Sequence, residues 1–455
     1  MPTREIYWNI AYGKLVYLFF LIVLGVLAYA VYTHYQRWRL GQGEEENRFD
    51  QVGQRIKDLF LQVFGQQRIL RDRYPGLMHL FIFSGFLVLF IGTSMIAVQE
   101  NLSIEYLYGS FYLFYSLLLD LFGLLVLVGI GMAVYRRVVL RPERLNNVLD
   151  DFTTLSLFFL VLLTGYLVEG PRIAATELQA HPAWSWWSPL GLLVAKIFSG
   201  LEEGTLRTMH KVFWWVHMAL AFAFIGYFGY SKLSHILFSP LNILLRSSRP
   251  RGALKPIRDF ENAETFGAGT LRDLSWKQLL DSDACTSCGR CQDACPAYLS
   301  GKPLSPKQLI LDIRARLQAD GPLLLQQKGQ EDGEEASSCG ALIGVEGGYI
   351  TEDVLWSCTT CGACMRECPV LIEHVDEIVD MRRYLVLMEG RMPETAEQAL
   401  RSLETRGHPW RGTTFTRTSW TEGLDIKTMA EKGEADILFW VGCSGALFDR
   451  NVRTT

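Results

Sequence analysis

The chain of 455 residues has two halves with different hydrophobic patterns. Before about residue 240, apolar residues form runs long enough to cross the ~30 Å hydrocarbon core of a bilayer as helices. A Trp-rich stretch from Trp184 to Phe198, interrupted by Pro189, predicts a segment at the membrane interface instead. The rest of the chain has the pattern of a soluble domain. Five runs predict transmembrane helices, at about 10–34, 77–98, 111–135, 151–168 and 210–238.

The charged residues of the loops predict how these helices are oriented. The loops after the first and third predicted helices are rich in Arg and Lys, whereas the loop after the second carries only Glu100 and Glu105. Because positively charged loops stay on the cytoplasmic side, we expect the N-terminus outside and the soluble half in the cytoplasm. The first apolar run is too long for the core of a signal peptide, so we expect no cleaved leader.

Composition and cysteine usage narrow the functional classes. A net charge of −4 and a pI near 6.1 rule out a basic nucleic-acid binder and a disordered acidic protein. All ten cysteines lie after residue 284, and eight of them form two tight clusters. An extracellular disulfide framework usually spreads its cysteines through a small fold, so this clustering indicates metal binding.

The two clusters repeat one spacing, Cys-x2-Cys-x2-Cys-x3-Cys-Pro. Three cysteines in a tight loop hold three irons of a cubane, and the fourth crosses to the other cluster. A pair of zinc sites, which usually combines two short cysteine or histidine knuckles, fits this spacing poorly. The predicted ligand sets are Cys285, Cys288, Cys291 and Cys368 for one [4Fe–4S] cluster, and Cys358, Cys361, Cys364 and Cys295 for the other.

The surroundings of the clusters predict an α-helical ferredoxin. One helix begins at Ser305-Pro306, and a second follows Pro369. Cys339 is predicted to be a free thiol. The apolar residues 436–444 predict a strand that ends at Cys443; because a lone strand is not stable, we expect either a truncated chain or docking on another subunit.

Histidines in the predicted helices indicate haem. His79 begins the second helix at its cytoplasmic end, and the fifth carries His210, His217 and His235. In a continuous helix, the 18 residues from His217 to His235 are five turns, so both share one face about 27 Å apart, with His210 within about 20° of it. His79 and His235 then lie at one depth, as bis-histidine haem b ligation requires.

The other intramembrane polar residues leave alternatives open. His217 predicts a second haem or, together with His210, a lining of a quinone pocket, since the second helix has no deeper histidine. Asp120, in the middle of the third helix, is a candidate for proton transfer to a quinone; its alternative is a buried carboxyl that is protonated or hydrogen-bonded. His34 and His181 are predicted to have no special role.

These features together resemble known families. The helices with His79, His217 and His235 resemble the gamma subunit of respiratory nitrate reductase, a five-helix cytochrome b, although its second histidine on helix two is missing here. The cysteine runs, with Gly301-Lys-Pro-Leu-Ser-Pro and Met381-Arg-Arg-Tyr, resemble the ferredoxin part of heterodisulfide reductase-related proteins. Trp440-Val-Gly-Cys-Ser-Gly resembles the opening of their cysteine-rich domain. Fused in this order, the parts resemble bacterial membrane-bound electron transfer flavoprotein:menaquinone oxidoreductases.

The resemblance implies an oxidoreductase of the bacterial cell membrane. Its fold would be an all-α membrane bundle of five transmembrane helices fused to an α-helical dicluster ferredoxin domain, with the start of an α/β cysteine-rich domain at the C-terminus. Electrons would pass between a cytoplasmic donor, such as electron transfer flavoprotein, and menaquinone through two [4Fe–4S] clusters and haem b, in either direction. The expected boundaries are 1–245 for the membrane domain, 246–270 for a linker, 271–395 for the ferredoxin and 396–455 for the remainder.

Two other functions stay open at this stage. One is a component of a quinol-linked thiol–disulfide reductase, which needs a full cysteine-rich domain, here or on a partner subunit. The other is a scaffold without redox activity, whose metal sites are structural.

Overall fold

The computed structural model describes residues 1–44, 46–250, 252–257, 260–327, 339–344, 350–410 and 416–454. Throughout these ranges the chain is helical or irregular, with isolated bridges and no strand, which confirms the predicted all-α architecture. It separates into two compact units. The first unit comprises Met1–Ala263 and Gly267–Met381, and the second comprises Glu264–Phe266 and Arg382–Thr455.

Five helices of the first unit are long and apolar enough to cross a membrane, as predicted. Many of their apolar side chains are exposed on the outside of the bundle, including Leu18, Leu21 and Phe90, as on a surface that lipid covers. The chain is a multi-pass membrane protein. The five helices are α1 (Leu15–Trp38), α3 (Arg73–Leu102), α4 (Gly109–Tyr135), α5 (Leu149–Ala175) and α9 (Glu203–Tyr227).

Small residues let α3 and α4 approach closely. A Cβ added at Gly85 of α3 would lie 2.1 Å from a methyl carbon of Val126, so this glycine is required by packing. Val126 belongs to an apolar core that also contains Phe158 of α5 and Phe224 of α9. The bundle is therefore held by van der Waals packing of side chains from several helices.

The prediction of one continuous fifth helix through residue 238 is wrong. Helix α9 ends at Tyr227, two 3-10 turns (Phe228–Tyr230 and Lys232–Ser234) follow, and α10 (His235–Leu244) then begins. Asp150 stabilises the break, because its carboxylate accepts hydrogen bonds from the Tyr227 hydroxyl and the Lys232 amide. The argument that His217 and His235 share a helix face, about 27 Å apart, does not hold.

Shorter helices connect the long ones. The predicted interfacial segment forms α7 (Pro182–Ser185) and α8 (Pro189–Phe198), and α8 is too short to span a bilayer. Helix α8 packs on α5, where a Cβ at Gly170 would lie 2.4 Å from Val194. The others in this half are α2 (Val52–Leu59) and α6 (Glu177–Ala180).

The soluble half of the first unit contains the cysteine runs. Ser275 caps α11 and Ser305 caps α14, each accepting a hydrogen bond from the backbone amide three residues on. These helices surround the cysteine loops as the sequence predicted. The helices are α11 (Trp276–Ala284), α12 (Arg290–Asp293), α13 (Pro296–Leu299), α14 (Pro306–Gln326), α15 (Glu352–Trp356), α16 (Ala363–Glu367) and α17 (His374–Leu387), the last of which ends in the second unit.

The second unit contains short helices and an exposed apolar segment. The strand predicted at 436–444 is not formed: residues 437–442 are irregular, and Cys443 begins a helix. No neighbouring strand is found among the described residues, so a strand there would leave its backbone groups unpaired. Ile437 and Trp440 are each 85% exposed. The helices are α18 (Glu394–Arg406), α19 (Met429–Lys432), α20 (Cys443–Leu447) and α21 (Asp449–Val452).

A buried charge network joins the loop after α1 to the soluble half. Arg48 forms a bidentate pair with Glu373 at 2.8 and 3.0 Å, and Lys277 lies 3.6 Å from the same carboxylate and 2.9 Å from Asp281. Burial acts to raise the pKa of Glu373, but Lys277 and Arg48 outweigh it and lower this pKa. The stability from Glu373 is therefore present above the ordinary glutamate pKa of about 4.3 and is lost as the pH falls through the lowered value.

Glu373→Gln should destabilise the protein strongly. The substitution leaves Arg48 and Lys277 buried with less compensating charge, which typically costs about 3–5 kcal/mol. Denaturant-induced unfolding in detergent measures the loss. The control Glu203→Gln breaks an exposed pair with Arg207 (2.8 Å) and should cost under about 0.5 kcal/mol. Equal effects for the two variants would contradict a stabilising role of the network.

Candidate functional site

The structure brings the two cysteine runs side by side. The thiol of Cys291 interacts electrostatically with those of Cys368, Cys285 and Cys288 of its predicted set, and also with that of Cys364 of the other set. In the second group, Cys364 interacts with Cys358, Cys295 and Cys361. Helix α12 packs on α16, so that each run places its fourth cysteine beside the other run. This arrangement supports the predicted crossing of ligands, which stays a prediction.

The chemistry of these thiols suits iron. Burial raises the pKa of Cys291, Cys364 and Cys368, and neighbouring thiols raise it further; for Cys364 the pKa reaches about 12. Thiols of this kind stay protonated unless a metal takes the place of the proton. The four cysteines of the second group also line one small cavity. The residues therefore fit two cubane clusters.

His79 and His235 are close enough to interact electrostatically, although they lie on different helices. Each uses Nδ1 in a hydrogen bond: His79 to Oε1 of Gln66 at 3.0 Å, and His235 to the carbonyl oxygen of Lys232 at 2.6 Å. In the described part of the chain, neither Nε2 has a hydrogen-bond partner. Donation from Nδ1 leaves Nε2 unprotonated, which is the arrangement of an axial haem ligand.

A buried polar atom beside this pair also fits a prosthetic group. Nε2 of the fully buried Gln66 has no hydrogen-bond partner among the described residues. Buried amide donors are rarely left unsatisfied, and a haem carboxylate is a suitable acceptor. The residues around His79 and His235 therefore fit haem b.

The other two histidines of the fifth span lie in different surroundings. His217 bonds through Nδ1 to the Val161 carbonyl and the Thr164 hydroxyl, both at 3.0 Å, and no other histidine is among its partners in the described ranges. His210 is buried, and the centre of its ring lies 4.9 Å from the centre of the Trp8 ring. Its Nδ1 has no hydrogen-bond partner among the described residues. A second haem and a quinone pocket here stay predictions.

Asp120 holds the start of α8. Its carboxylate oxygens accept hydrogen bonds from the amides of Leu190 and Gly191, at 2.9 and 3.0 Å. A carboxylate at a helix N-terminus is favourable because the unpaired amides and the helix dipole both attract it. These bonds favour the structural alternative for Asp120, while its predicted role in proton transfer stays untested.

Asp120→Asn separates the two roles of this side chain. The amide oxygen still accepts a hydrogen bond from α8, so if Asp120 acts only as a cap, reduction of the chain by a quinol analogue should stay within about twofold of the wild type. Asp120→Ala should lower the stability by about 0.5–2 kcal/mol. Turnover with a quinol analogue checks Asp120→Asn, and denaturant-induced unfolding in detergent checks Asp120→Ala. A loss of turnover of about 100-fold in Asp120→Asn would instead identify a proton donor.

Two arginines that the sequence analysis missed clamp the loop before His79 to the cysteine runs. Arg68 donates hydrogen bonds to the carbonyl oxygens of Met365 and Cys368, at 3.0 and 2.9 Å. In return, Arg290 donates to the carbonyl oxygens of Arg68 and Ile69, both at 2.7 Å. The signal in the sequence is a basic residue inside a cysteine loop, immediately before Cys291.

His34, predicted to have no special role, joins α1 to the soluble half. Its Nδ1 lies 2.7 Å from the carboxylate of Asp283, and its Nε2 lies 3.2 Å from the carbonyl oxygen of Gly229. Trp38 donates to the same carboxylate at 2.8 Å. Because both ring nitrogens are used within the protein, His34 is not a suitable haem ligand.

Comparisons with known proteins agree with this arrangement. A family model described as a 4Fe-4S dicluster domain matches residues 281–372, which contain all eight clustered cysteines. An EtfAB:quinone oxidoreductase of Syntrophomonas wolfei is 37% identical over 475 residues, covering 100% of this chain and 66% of the relative. FadF of Bacillus subtilis, a probable iron-sulfur-binding oxidoreductase, is 32% identical, covering 95% of this chain and 66% of the relative.

A more distant relative is one component of the dihydromethanophenazine:CoB–CoM heterodisulfide reductase of Methanosarcina barkeri. It is 26% identical over 216 residues, covering 46% of this chain and 71% of the relative. The chain is thus similar to oxidoreductases over nearly its whole length and carries a 4Fe-4S dicluster domain. It spans 66% of the length of each of the first two relatives. No solved structure matches it. The chain therefore combines five helices long enough to cross a membrane with a 4Fe-4S dicluster domain, which are the features of a membrane electron-transfer protein.

Proposed function

We propose that this oxidoreductase carries single electrons between a cytoplasmic donor and menaquinone through two [4Fe–4S] clusters and one haem b. The donor class is suggested by the relative from Syntrophomonas wolfei, which is named for EtfAB and quinone. We further propose that the protein lies in a bacterial cell membrane with its N-terminus outside and its iron–sulfur domain in the cytoplasm, as the loop charges predict.

One observation carries the proposal: the loop that precedes His79 is hydrogen-bonded directly to a predicted cluster ligand. Arg68 binds the carbonyl oxygen of Cys368, and Arg290 precedes Cys291 and binds the same loop. His79 also interacts electrostatically with Arg290. These contacts support a position of the first predicted ligand set near His79.

The same contacts suggest the order in which the two clusters lie along the path of the electrons. The first ligand set (Cys285, Cys288, Cys291 and Cys368) would hold the cluster nearest the membrane. The second set includes Cys361, which is the one exposed cysteine among the eight. We therefore propose that the second cluster exchanges electrons with the soluble donor.

Each part of the chain has a defined task in this scheme. The histidines would hold the haem through Nε2, while their Nδ1 hydrogen bonds fix the ring orientation. A bound haem would supply a one-electron carrier between the clusters and the quinone. Arg68 and Arg290 keep the cysteine loops fixed against the loop of His79, so the spacing between the centres is constant. The direction of flow depends on the potentials of donor and quinone.

An optical spectrum of the detergent-purified chain, oxidised and then reduced with a menaquinol analogue, tests the proposal. Iron and haem are assayed on the same sample. We expect a reduced b-type spectrum and about eight non-haem irons per chain, as two cubanes require. The haem-to-protein ratio distinguishes one haem from two. Iron without haem would contradict the proposal and leave a membrane-anchored ferredoxin.

A further inference from the structure

Gln66 makes the one hydrogen bond that His79 forms among the described residues. The bond joins Oε1 of Gln66 to Nδ1 of His79 at 3.0 Å, and the glutamine is fully buried. An amide oxygen only accepts hydrogen bonds, so it holds the proton of the imidazole on Nδ1 and leaves Nε2 as the ligand atom.

The backbone holds Gln66 in an unfavourable conformation. Its φ of +47° lies in the left-handed region, which a residue other than glycine keeps only where its surroundings enforce it. The amide of Leu70 donates to the Gln66 carbonyl at 2.9 Å, and the amide of Gly65 closes the preceding π turn by donating to Phe60. The loop therefore aims this side chain at His79.

The clamp described above fixes the other side of this loop. Arg290 binds the carbonyl oxygens of Arg68 and Ile69, two and three residues after Gln66. The position of the glutamine thus depends on contacts with the cysteine runs as well as on its own turn. A residue held this firmly is suited to set the orientation of a ligand.

The two predicted haem ligands differ in the group that accepts their Nδ1 proton. For His235 the acceptor is the main-chain carbonyl of Lys232. Because every residue type has this carbonyl, a substitution at position 232 leaves the type of acceptor unchanged. For His79 the acceptor is a side chain, so its strength depends on the residue type. A stronger acceptor on Nδ1 makes the imidazole a more basic ligand and favours the oxidised metal.

We propose that Gln66 is a positioning residue that sets the tautomer and the donor strength of His79, and through them the reduction potential of haem b. The inference rests on the proposed function, because it requires His79 to be a haem ligand. A neutral amide in this place keeps the potential higher than a carboxylate would, which favours transfer from the clusters to the haem.

Redox titrations of the full chain in detergent, at one fixed pH, test this role in Gln66→Glu and Gln66→Leu. A carboxylate is a stronger acceptor, so Gln66→Glu should lower the equilibrium constant for haem reduction at least tenfold. For a one-electron couple this corresponds to a reduction potential lower by about 59 mV. Gln66→Leu removes the acceptor and should raise the potential. The control Gln67→Leu changes the exposed neighbour, whose amide side chain bonds to Gln62, and should have little effect.

A merely structural role would give a different result. It predicts a lower haem content in both variants, with the potential and the low-spin electron paramagnetic resonance g-values of the remaining haem unchanged. Variant potentials within about 18 mV of the wild-type potential would overturn the inference. This difference corresponds to a change of about twofold in the equilibrium constant for reduction. Loss of haem in Gln66→Leu alone, with a shifted potential in Gln66→Glu, would support it. A wild-type chain without haem would overturn the proposed function itself.

Discussion

Replacing His79 by alanine removes the b-type haem absorbance while about eight irons per chain remain. His235→Ala gives the same result. Each substitution deletes one of the two imidazoles, on α3 and α10, that interact electrostatically, and a haem held by both would lose a bond to iron in either case. The iron content is unchanged because neither histidine belongs to a cysteine loop.

Haem and iron assays on the purified variants, with the reduced-minus-oxidised spectrum, measure this effect. His181→Ala is the matched control, because His181 is exposed and its ring stacks on Trp184 at 3.9 Å. The control should keep the full haem content. Normal haem in His79→Ala would mean that another pair of residues holds it. His217→Ala tests the second haem, because a halved haem content would support two haems per chain.

Cys368 is the last cysteine of the second run, but it is predicted to bind the cluster that the first run holds. Replacing Cys368 by serine should therefore remove the cluster of the first run and leave that of the second. Iron then falls from about eight to about four per chain, since a cubane rarely persists with three cysteines. The reason is the crossing of the fourth ligand: the structure places Cys368 beside Cys288 and Cys285. Cys295→Ser should remove the other cluster, because Cys295 lies beside Cys364.

Electron paramagnetic resonance of the reduced variants tells the two clusters apart. The signal left in Cys368→Ser should match that left in Cys288→Ser and differ from that left in Cys361→Ser. Cys339→Ser is the control and should keep about eight irons, because Cys339 lies outside both predicted ligand sets. A match between Cys368→Ser and Cys361→Ser would show that each run holds its own cluster.

Local patterns in the sequence predicted the helical architecture. The five spans follow from the length of their apolar runs, since a bilayer imposes a minimum length on any helix that crosses it. The 4Fe-4S dicluster domain follows from the two cysteine runs, because one [4Fe–4S] spacing repeated within a chain is specific. Both features are encoded in consecutive residues and need no long-range partner.

Features that depend on partners distant in the chain were not predictable. The break after Tyr227 forms because Asp150, 77 residues earlier, accepts hydrogen bonds from the turn. The sequence leaves the role of Asp120 open between proton transfer and a hydrogen-bonded carboxyl, and it did not predict that its carboxylate accepts hydrogen bonds from the start of a helix 70 residues away. Hydropathy periodicity carries no information about such pairs.

The sequence by itself therefore determined the number of membrane helices, the helical fold of the soluble half and the two cysteine runs. Only the tertiary structure decided that His79 of α3 and His235 of α10 are close enough to interact electrostatically, and that Arg68 and Arg290 join the loop before His79 to the cysteine runs. The physical reason is that hydrophobic patterning and ligand spacing act over a few turns of chain. The hydrogen bonds of Arg68 and Arg290 instead join residues more than 200 positions apart, and these meet only after the chain has folded.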